Sequence, residues 1–252
     1  MQNPQSILIT GASSGIGEAL ALEYARSGVN LILNGRDEAR LEMVAGAVRA
    51  RGASATIEAA DVTDRDAMTA MTDRCDTARP LDLVIANAGV SLRMRSLADL
   101  DQVTRKTFAA NVDGVFNTLH PAIARMAPRR RGQLAIVSSI AGFRGLPGAA
   151  AYSASKAAVK AYGEGLRVRL AREGLALSVI CPGYVRSPMT DKNRYRMPFL
   201  MDADRAARII REGLARNQSR IAFPWPMYAL IRLVSVLPPA LVDWVAARTP
   251  DQ

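Results

Sequence analysis

The chain begins with a short apolar run followed at once by glycines, and this order strongly limits its fold. Residues 6–10 read Ser-Ile-Leu-Ile-Thr, Gly11, Gly15 and Gly17 follow, and apolar residues then recur at helical spacing up to Gly28. This pattern is typical of a strand, a tight turn and a helix. Glycine lets the backbone approach a pyrophosphate, and a helix N-terminus favours its negative charge. The segment therefore predicts a dinucleotide site.

Seven short apolar runs predict the strands of a sheet. They lie at about 6–10, 29–34, 55–60, 81–87, 133–138, 176–181 and 220–223. Most are near-continuous in Ile, Leu, Val and Ala, which is typical of strands covered by helices on both faces. With helical stretches between them, the runs predict an α/β fold with one Rossmann-like, doubly wound parallel sheet. Its ligand is expected outside the carboxyl ends of the strands.

Length and composition favour one domain over residues 1–252, in which residues about 190–252 form a substrate loop and an apolar C-terminal extension. Nearly half of the chain, 49%, is hydrophobic, and no linker or repeat interrupts it. The start lacks the pattern of an export signal, so we expect a cytoplasmic protein. Cys75 and Cys181 have no His or Cys neighbours at ligand spacing, so neither a disulfide scaffold nor a metal site is expected.

A tyrosine and a lysine four positions apart carry the candidate chemistry. Tyr152 and Lys156 lie in a helical pattern, where residues at this spacing share a face. The phenol of tyrosine has an ordinary pKa of about 10, and a neighbouring ammonium lowers that pKa by stabilising the phenolate. Ser139 adds a neutral hydroxyl. Together these groups can hold a carbonyl oxygen and supply its proton. A chance pair on the surface is the alternative.

Several motifs in order resemble the short-chain dehydrogenase/reductase family, over most of the chain from Ser6 to about Thr190. The resemblance implies that the glycine loop holds the cofactor, that Asp61 and Val62 contact its adenine, and that Val185 and Ser187 meet its carboxamide. Family members more often carry Thr where Ser187 stands. The cofactor positions implied by the resemblance are Gly11, Ser13, Ser14, Gly15, Ile16, Gly17, Asp61, Val62, Asn87, Ala88, Gly89, Tyr152, Lys156, Pro182, Gly183, Val185 and Ser187.

The same resemblance implies a catalytic set of Asn111, Ser139, Tyr152 and Lys156. By the family spacing, Ser139 and not Ser138 is the active hydroxyl. Tyr152 is expected to exchange the proton, Lys156 to hold the nicotinamide ribose, and Ser139 to stabilise the reacting oxygen. Asn111 is expected to hold a water that links the lysine to solvent.

The charge near the second strand favours NADP(H) over NAD(H). About 20 residues past the loop, enzymes that use NAD usually carry an acid that takes the ribose hydroxyls. Gly35 stands there instead, and Arg36 follows. A guanidinium makes charge-assisted hydrogen bonds to a phosphate, such as the 2′-phosphate of NADP. A solvated turn arginine is the alternative interpretation, and Ser14 stands where many NADP-using relatives have a basic residue.

The predicted function is hydride transfer between NADP(H) and a carbonyl or secondary alcohol of a small, lipophilic molecule. A sensor that binds NADPH without turnover is a different class of function, and the full Asn, Ser, Tyr and Lys set disfavours it. An epimerase or dehydratase is also disfavoured, because those relatives have another glycine spacing. The loop from Val185 to Phe199, with Met189, Tyr195 and Met197, and residues 91–100 are expected to border the substrate. The resemblance implies a homodimer or homotetramer, paired through the helices of the Asn111 and Tyr152 motifs.

Two further classes of partner must be considered. The formal net charge of +10 raises the question of nucleic acid, and an apolar C-terminal stretch raises that of a membrane surface. The arginines are scattered and no nucleic-acid motif appears, so no nucleic acid is expected. The stretch from Ile221 to Pro239 and a piece with Leu241, Val242, Trp244 and Val245 are strongly apolar. Between Pro226 and Pro238 the stretch is too short to span a bilayer, which takes about 20 residues. Packing over the cleft or in a subunit interface is expected, and attachment to a membrane surface is the alternative. His120, the only histidine, is expected to pack or lie on the surface.

Overall fold

The computed structural model describes residues 3–94, 96–146, 148–191, 193 and 196–238. Within them, seven strands form one sheet. They are β1 Ser6–Thr10, β2 Asn30–Gly35, β3 Ser54–Ala59, β4 Leu83–Ala86, β5 Gly132–Val137, β6 Leu175–Pro182 and β7 Arg220–Phe223. The strand order is β3-β2-β1-β4-β5-β6-β7, and every neighbouring pair is parallel.

Helices alternate with these strands along the chain. They are α1 Gly15–Tyr24, α2 Glu38–Ala50, α3 Arg65–Ala78, α4 Leu100–Phe108, α5 Gly114–Met126, α6 Ala150–Arg172, α7 Ala203–Ala215 and α8 Trp225–Val236. A π-helical turn, Ala109–Asp113, joins α4 to α5, and a short 3-10 helix, Ile140–Phe143, follows β5.

The two faces of the sheet bury two hydrophobic clusters. One cluster contains residues of α1, α2 and α7, such as Leu20, Leu41 and Ile210. The other contains residues of α3, α5 and α6, such as Met68 and Leu119. Because both faces are covered, the strands are buried on both sides, and this explains their near-continuous apolar sequences.

The predicted α/β fold with a doubly wound parallel sheet is confirmed, and the predicted strands agree with the observed ones to within about two residues. From β1 the chain winds outward through β2 to β3, and it then returns to β4 on the other side of β1. In such sheets a crevice opens outside the carboxyl ends of the two strands where the winding reverses. The crevice therefore lies above β1 and β4.

The apolar C-terminal stretch forms β7 and α8. Tyr195, Leu241, Val242, Trp244 and Val245, which the sequence analysis singled out, lie outside the described residues. In the described part of the chain, no helix has the length and apolar character needed to cross a membrane.

Gly163 allows α6 to approach the sheet closely. A Cβ at this position would lie 2.7 Å from Val179 Cγ2 and 2.8 Å from Ile136 Cδ1. Both neighbours are fully buried in the cluster beneath α6. An added methyl group therefore forces α6 away from the strands. Because α6 also carries Tyr152 and Lys156, these side chains are displaced as well.

We expect Gly163→Ala to lower the free energy of unfolding by about 1–2 kcal/mol, because overpacking outweighs the gain in helix propensity. The matched control is Gly46→Ala on α2, where a Cβ would meet nothing within 4 Å. The control should raise the free energy of unfolding by up to about 1 kcal/mol. Urea denaturation followed by circular dichroism measures both, and changes of the same sign would contradict the packing argument.

Candidate active site

The loop between β1 and α1 forms a cradle for phosphates. Gly11 and Gly15 have φ values of +64° and +58°, a region that side chains with a Cβ rarely adopt. Ser14 stands at the N-cap of α1, but its side chain makes no capping hydrogen bond. The first amides of the helix are therefore left for another acceptor, and the helix dipole favours a negative one. These features fit the pyrophosphate of a dinucleotide.

Thr10 joins the carboxyl ends of β1 and β4. Its hydroxyl accepts hydrogen bonds from the backbone N–H groups of Asn87 and Ala88, both at 3.1 Å. In return, the Asn87 side-chain amide donates to the carbonyl oxygens of Thr10 at 2.9 Å and Gly11 at 3.2 Å. A Cβ at Gly17 would lie 2.6 Å from the same amide nitrogen, so only glycine fits there. The glycine loop and the Asn-Ala-Gly segment thus form one rigid floor.

Arg36 and Asp61 stand at the outer end of the crevice, beyond β2 and β3. Their side chains approach to 3.6 Å, and that of Arg36 is 72% exposed. Burial tends to raise the pKa of Asp61, but hydrogen bonds from Thr63 and the charge of Arg36 outweigh it, so the pKa lies below the ordinary value. Val62 is buried directly after Asp61. A guanidinium this exposed can turn toward a phosphate.

Lys156 is the most unusual charged group of the site. Its side chain is buried, with 4% of the residue exposed, and its Nζ donates to the carbonyl oxygen of Val137 at 2.9 Å. No other acceptor for this ammonium is found among the described residues, which leaves two N–H donors for a ligand such as a ribose. A Cβ at Gly89 would lie 3.3 Å from Nζ, so glycine keeps the space above β4 open.

Tyr152 lies one helical turn before Lys156, as the sequence predicts. The Nζ of Lys156 is 5.7 Å from the centroid of the Tyr152 ring, within the range of a cation–π contact. The ring is half-buried at the mouth of the crevice, beside Leu92, Met94, Leu100 and Val103. The arrangement places a positive charge next to a phenol that faces an apolar cleft.

The two adjacent serines after β5 have different partners. Ser138 donates to the Lys156 carbonyl oxygen at 2.7 Å, so its hydroxyl holds α6 against the sheet. Ser139 caps the short 3-10 helix by accepting from the Ala141 N–H at 3.1 Å, and it also donates to the Pro182 carbonyl oxygen at 3.4 Å. The latter bond is long and therefore weak. Of the two hydroxyls, that of Ser139 is the easier to redirect toward a substrate oxygen.

Asn111 lies in the π-helical turn between α4 and α5 and is fully buried. Its Oδ1 accepts from the Val90 N–H at 2.7 Å, and its Nδ2 donates to the Val90 carbonyl oxygen and to the Ser155 hydroxyl, both at 3.0 Å. Ser155 in turn donates to the Tyr152 carbonyl oxygen at 2.7 Å. Both donors of the amide are therefore used inside the protein. Its side chain ties the segment after β4 to the helix of Tyr152.

The segment after β6 covers the crevice from the other side. Gly183 directly follows Pro182, donates its N–H to the Phe223 carbonyl oxygen at 2.7 Å, and lies so close to α8 that a Cβ would be 3.1 Å from Met227 Sδ. Ser187 lies over the phosphate cradle, because a Cβ at Gly15 would be 2.9 Å from Ser187 Cβ. Val185 is buried beneath this segment.

The structure thus brings the sequence-predicted residues to one edge of the sheet. Ser13, Ser14, Ile16 and Ala88 line the floor with the glycines, and Pro182 to Ser187 form the roof. His120 lies apart, stacked on Phe116 and within 2.8 Å of the Tyr162 hydroxyl. Cys75 and Cys181 are both buried.

Three residues of the site were missed by sequence reasoning. Ser155 positions Asn111, and Met227 of α8 packs on Gly183. Asn34 is fully buried at the end of β2, where its Nδ2 donates to the carbonyl oxygens of Glu58 and Ala60. Its Oδ1 finds no donor among the described residues. The sequence could have indicated Asn34, because it is a polar residue that directly follows the apolar run Leu31–Leu33 within the predicted strand.

Comparison with known proteins identifies the family. The family model described as short chain dehydrogenase matches residues 5–197. An uncharacterized oxidoreductase of Myxococcus xanthus is 40% identical over 245 residues, which cover 97% of each chain. The chain therefore belongs to the short-chain dehydrogenase family and is an oxidoreductase with a nucleotide-binding site.

Solved structures show the same fold. A short-chain dehydrogenase from Sphingobium yanoikuyae in complex with NADPH superposes with a TM-score of 0.82, at 23% identity and over 97% of this chain and 96% of that one. A short-chain dehydrogenase/reductase from Burkholderia phymatum in complex with NAD gives 0.84, at 24% identity, over 100% and 98%. One neighbour holds NADPH and the other NAD, so the fold does not distinguish the two cofactors.

The burial of Lys156 predicts a pH-dependent stability cost. Burial lowers the pKa of its ammonium from 10.5 to about 8. Between pH 8 and 10.5 the unfolded chain binds more protons at this residue than the folded protein does. The contribution of Lys156 to the free energy of unfolding therefore rises with pH in this range, and below about pH 8 the full cost of burying the charge is present. We expect Lys156→Met to stabilise the cofactor-free protein at pH 7, by up to about 3 kcal/mol. The gain should shrink as pH rises from 8 toward 10.

Thermal melts of both proteins across this pH range measure the effect. Lys160→Met is the control, because Lys160 lies one turn further along α6 and pairs with Glu164 at 3.2 Å. It loses an ion pair and should gain no stability. A Lys156→Met protein that is less stable than wild type at pH 7 would show that the buried charge is compensated inside the cofactor-free protein.

Proposed function

We propose that this protein is an NADP(H)-dependent oxidoreductase that interconverts a carbonyl and a secondary alcohol on a lipophilic small molecule. The observation that carries the proposal is the position of the Lys156 ammonium, buried beneath the crevice and 5.7 Å from the Tyr152 ring. A buried cation beside a phenol suits proton exchange with an alkoxide, and the crevice that it faces suits a dinucleotide.

The bound nicotinamide supplies or accepts the hydride. In the reductive direction, Tyr152 donates its hydroxyl proton to the oxygen that gains negative charge. Lys156 favours the resulting phenolate by its charge, and its free N–H donors hold the ribose. Ser139 donates a hydrogen bond to the same oxygen as the charge develops. We assign to Asn111 the water that links Lys156 to solvent and so replaces the proton; its hydrogen bonds to Val90 and Ser155 fix its place beside the helix of Tyr152.

The preference for NADP(H) rests on Arg36. Its guanidinium is exposed directly after β2, where an acid would repel a 2′-phosphate, and its contact with Asp61 is a loose 3.6 Å. An exposed ion pair of this kind contributes little, so a phosphate can replace it at small cost. Asp61 then stays available for the adenine end of the cofactor.

A lipophilic substrate is supported by the walls of the cleft. Leu92, Met94, Leu100 and Val103 line the side next to Tyr152, and no charged side chain lines this part of the cleft in the described residues. In the segment after β6, Met189 and Phe199 are exposed. Exposed apolar side chains around a cleft favour an apolar ligand over a sugar or an acid.

A homo-oligomer paired through α6 forms part of the proposal. The outer face of α6 carries Ala154, Ala158, Ala161 and Gly165, all exposed, and a Cβ at Gly165 would meet nothing within 4 Å. Small side chains allow a second helix to approach closely. Sedimentation analysis is expected to give a molar mass two or four times that of one chain.

Replacement of Tyr152 by Phe tests the reaction. We expect turnover to fall at least about a hundred-fold, which is the usual contribution of a positioned proton donor. NADPH affinity should change less than about three-fold, because the ring and Lys156 remain. NADPH oxidation is followed by absorbance on a panel of hydrophobic ketones, with affinity from fluorescence titration. Wild-type turnover by the variant would refute the role of Tyr152, and tight NADPH binding by the native protein without turnover on any ketone would favour a sensor.

Arg36→Glu tests the cofactor preference. We expect the ratio of NADPH to NADH affinity to fall at least ten-fold, because one charge-assisted hydrogen bond is lost and a like charge faces the phosphate. Arg40→Glu is the control, since Arg40 lies on the first turn of α2 and pairs with Asp37. It should leave the ratio within about three-fold of wild type. An unchanged ratio in Arg36→Glu would remove the basis for NADP(H).

A further inference from the structure

The helix α8 presents an apolar face to solvent. Trp225, Leu230, Leu233 and Val236 are exposed by 74%, 59%, 60% and 74%. They recur at helical spacing, so they share one side of the helix. The other side carries Met227, Tyr228 and Ile231, which pack against the hydrophobic cluster of α3, α5 and α6. A face of this kind on a firmly packed helix indicates a surface for a partner.

The packed side of α8 is held by an aromatic and ionic cluster. Tyr228 makes an edge-on contact with Phe143, with ring centroids 5.4 Å apart, and its hydroxyl accepts from Arg220 at 3.0 Å. Arg220 in turn forms an ion pair with Glu164 of α6. The helix is therefore anchored to the 3-10 helix after Ser139 and to α6. Its exposed face belongs to a fixed element rather than to a loose end.

Positively charged side chains surround this aromatic and ionic cluster and extend to the exposed side of α8. Lys160, Arg220 and Arg232 lie 4.8, 5.3 and 5.8 Å from the centroid of the Phe143 ring. Glu164 pairs with Lys160 and Arg220. Arg232 is exposed and has no carboxylate partner among the described residues. The sequence from 220 to 238 contains no acidic residue at all.

We propose that the exposed face of α8 docks on the surface of an anionic lipid membrane. Trp225, Leu230, Leu233 and Val236 enter the boundary between headgroups and acyl chains, and Arg232, at the edge of this face, contacts a lipid phosphate. A helix of 12 residues is too short to cross the bilayer and lies along its surface. The net charge of +10 adds long-range attraction to anionic lipid.

Charge also decides between a membrane and a second copy of the chain. Two copies that met through α8 would bring two Arg232 side chains together, with no acidic residue from 220 to 238 to compensate. An anionic membrane replaces this repulsion by attraction. The occupant that fits the apolar face and its basic edge together is therefore lipid.

Docking through α8 would also place the cleft near the lipid. Met227, at the start of α8, packs on Gly183 at the roof of the candidate site. A lipophilic substrate dissolved in the membrane would then enter the cleft over a short path. This consequence rests on the proposed function, whereas the docking itself does not.

Sedimentation of the full-length protein with vesicles tests the proposal. The vesicles contain equal parts of phosphatidylcholine and phosphatidylserine, and pure phosphatidylcholine vesicles serve for comparison. We expect at least ten-fold stronger partitioning onto the anionic vesicles. The double variant Leu230→Glu/Leu233→Glu should lose this binding at least ten-fold, and Arg232→Gln should lose about five-fold on anionic vesicles.

The matched control is Met43→Glu, because Met43 is a 76% exposed hydrophobic residue on α2, at the opposite edge of the sheet. It should bind vesicles as wild type does. Thermal melts and NADPH titration verify that each variant folds, and they separate a failure of docking from a failure of the proposed reaction.

Two results would overturn the proposal. One is a wild-type protein that does not sediment with anionic vesicles at low ionic strength. The other is a double variant that binds them as tightly as wild type does. If wild type stays in the supernatant and the double variant alone changes the molar mass measured by ultracentrifugation, the face is an interface between copies of the chain, and the membrane proposal is wrong.

Discussion

The buried ammonium of Lys156 is the group around which the crevice is arranged. It sits between the ends of β4 and β5 and the helix α6, and its Nζ donates a hydrogen bond to the Val137 carbonyl oxygen. Glycine at position 89 keeps the space above it open, and the backbone of Lys156 is itself held by Ser138. A charge in such a place is costly to the folded protein, since burial lowers its pKa to about 8. The close packing of α6 on the sheet fixes the charge where it can act on the phenol one turn away.

This cost is small compared with what the two clusters on the faces of the sheet contribute, so the fold can retain a poorly solvated cation at its edge. Buried charges of this kind are typical of functional sites, where the surrounding structure holds a group in an unfavourable environment. Gly11 and Gly15 meet a different requirement, because glycine adopts their positive φ values without strain and so lets the backbone approach a ligand. The floor that Thr10 and Asn87 build between β1 and β4 makes these positions rigid.

Much of this architecture could be predicted from the sequence, because its signals are local. The apolar runs predicted the strands, and the i, i+4 spacing placed Tyr152 and Lys156 on one face of a helix. The glycine segment predicted the turn before α1. Other features depend on contacts between distant elements. The amide of Asn111, in the π-helical turn, donates to Val90 and Ser155, and the packing of Met227 on Gly183 needs β7 to bring α8 back over the sheet. The partners in each of these contacts lie more than 20 positions apart in the sequence, so a local pattern does not contain both of them.

Arg36 forms an exposed ion pair with Asp61 from which it can move to a phosphate. In the cofactor-free protein the two side chains lie 3.6 Å apart, and the charge of Arg36 is a smaller contribution than Thr63 to the lowering of the Asp61 pKa, which burial opposes. Thr63 lowers it as well, through two hydrogen bonds of 2.9 Å from its backbone and its hydroxyl. Asp61 therefore stays ionised without Arg36, and the guanidinium is free to leave it. On the proposed preference for NADP(H), a 2′-phosphate with two negative charges would compete for a cation held by one exposed carboxylate, because the phosphate has the larger charge.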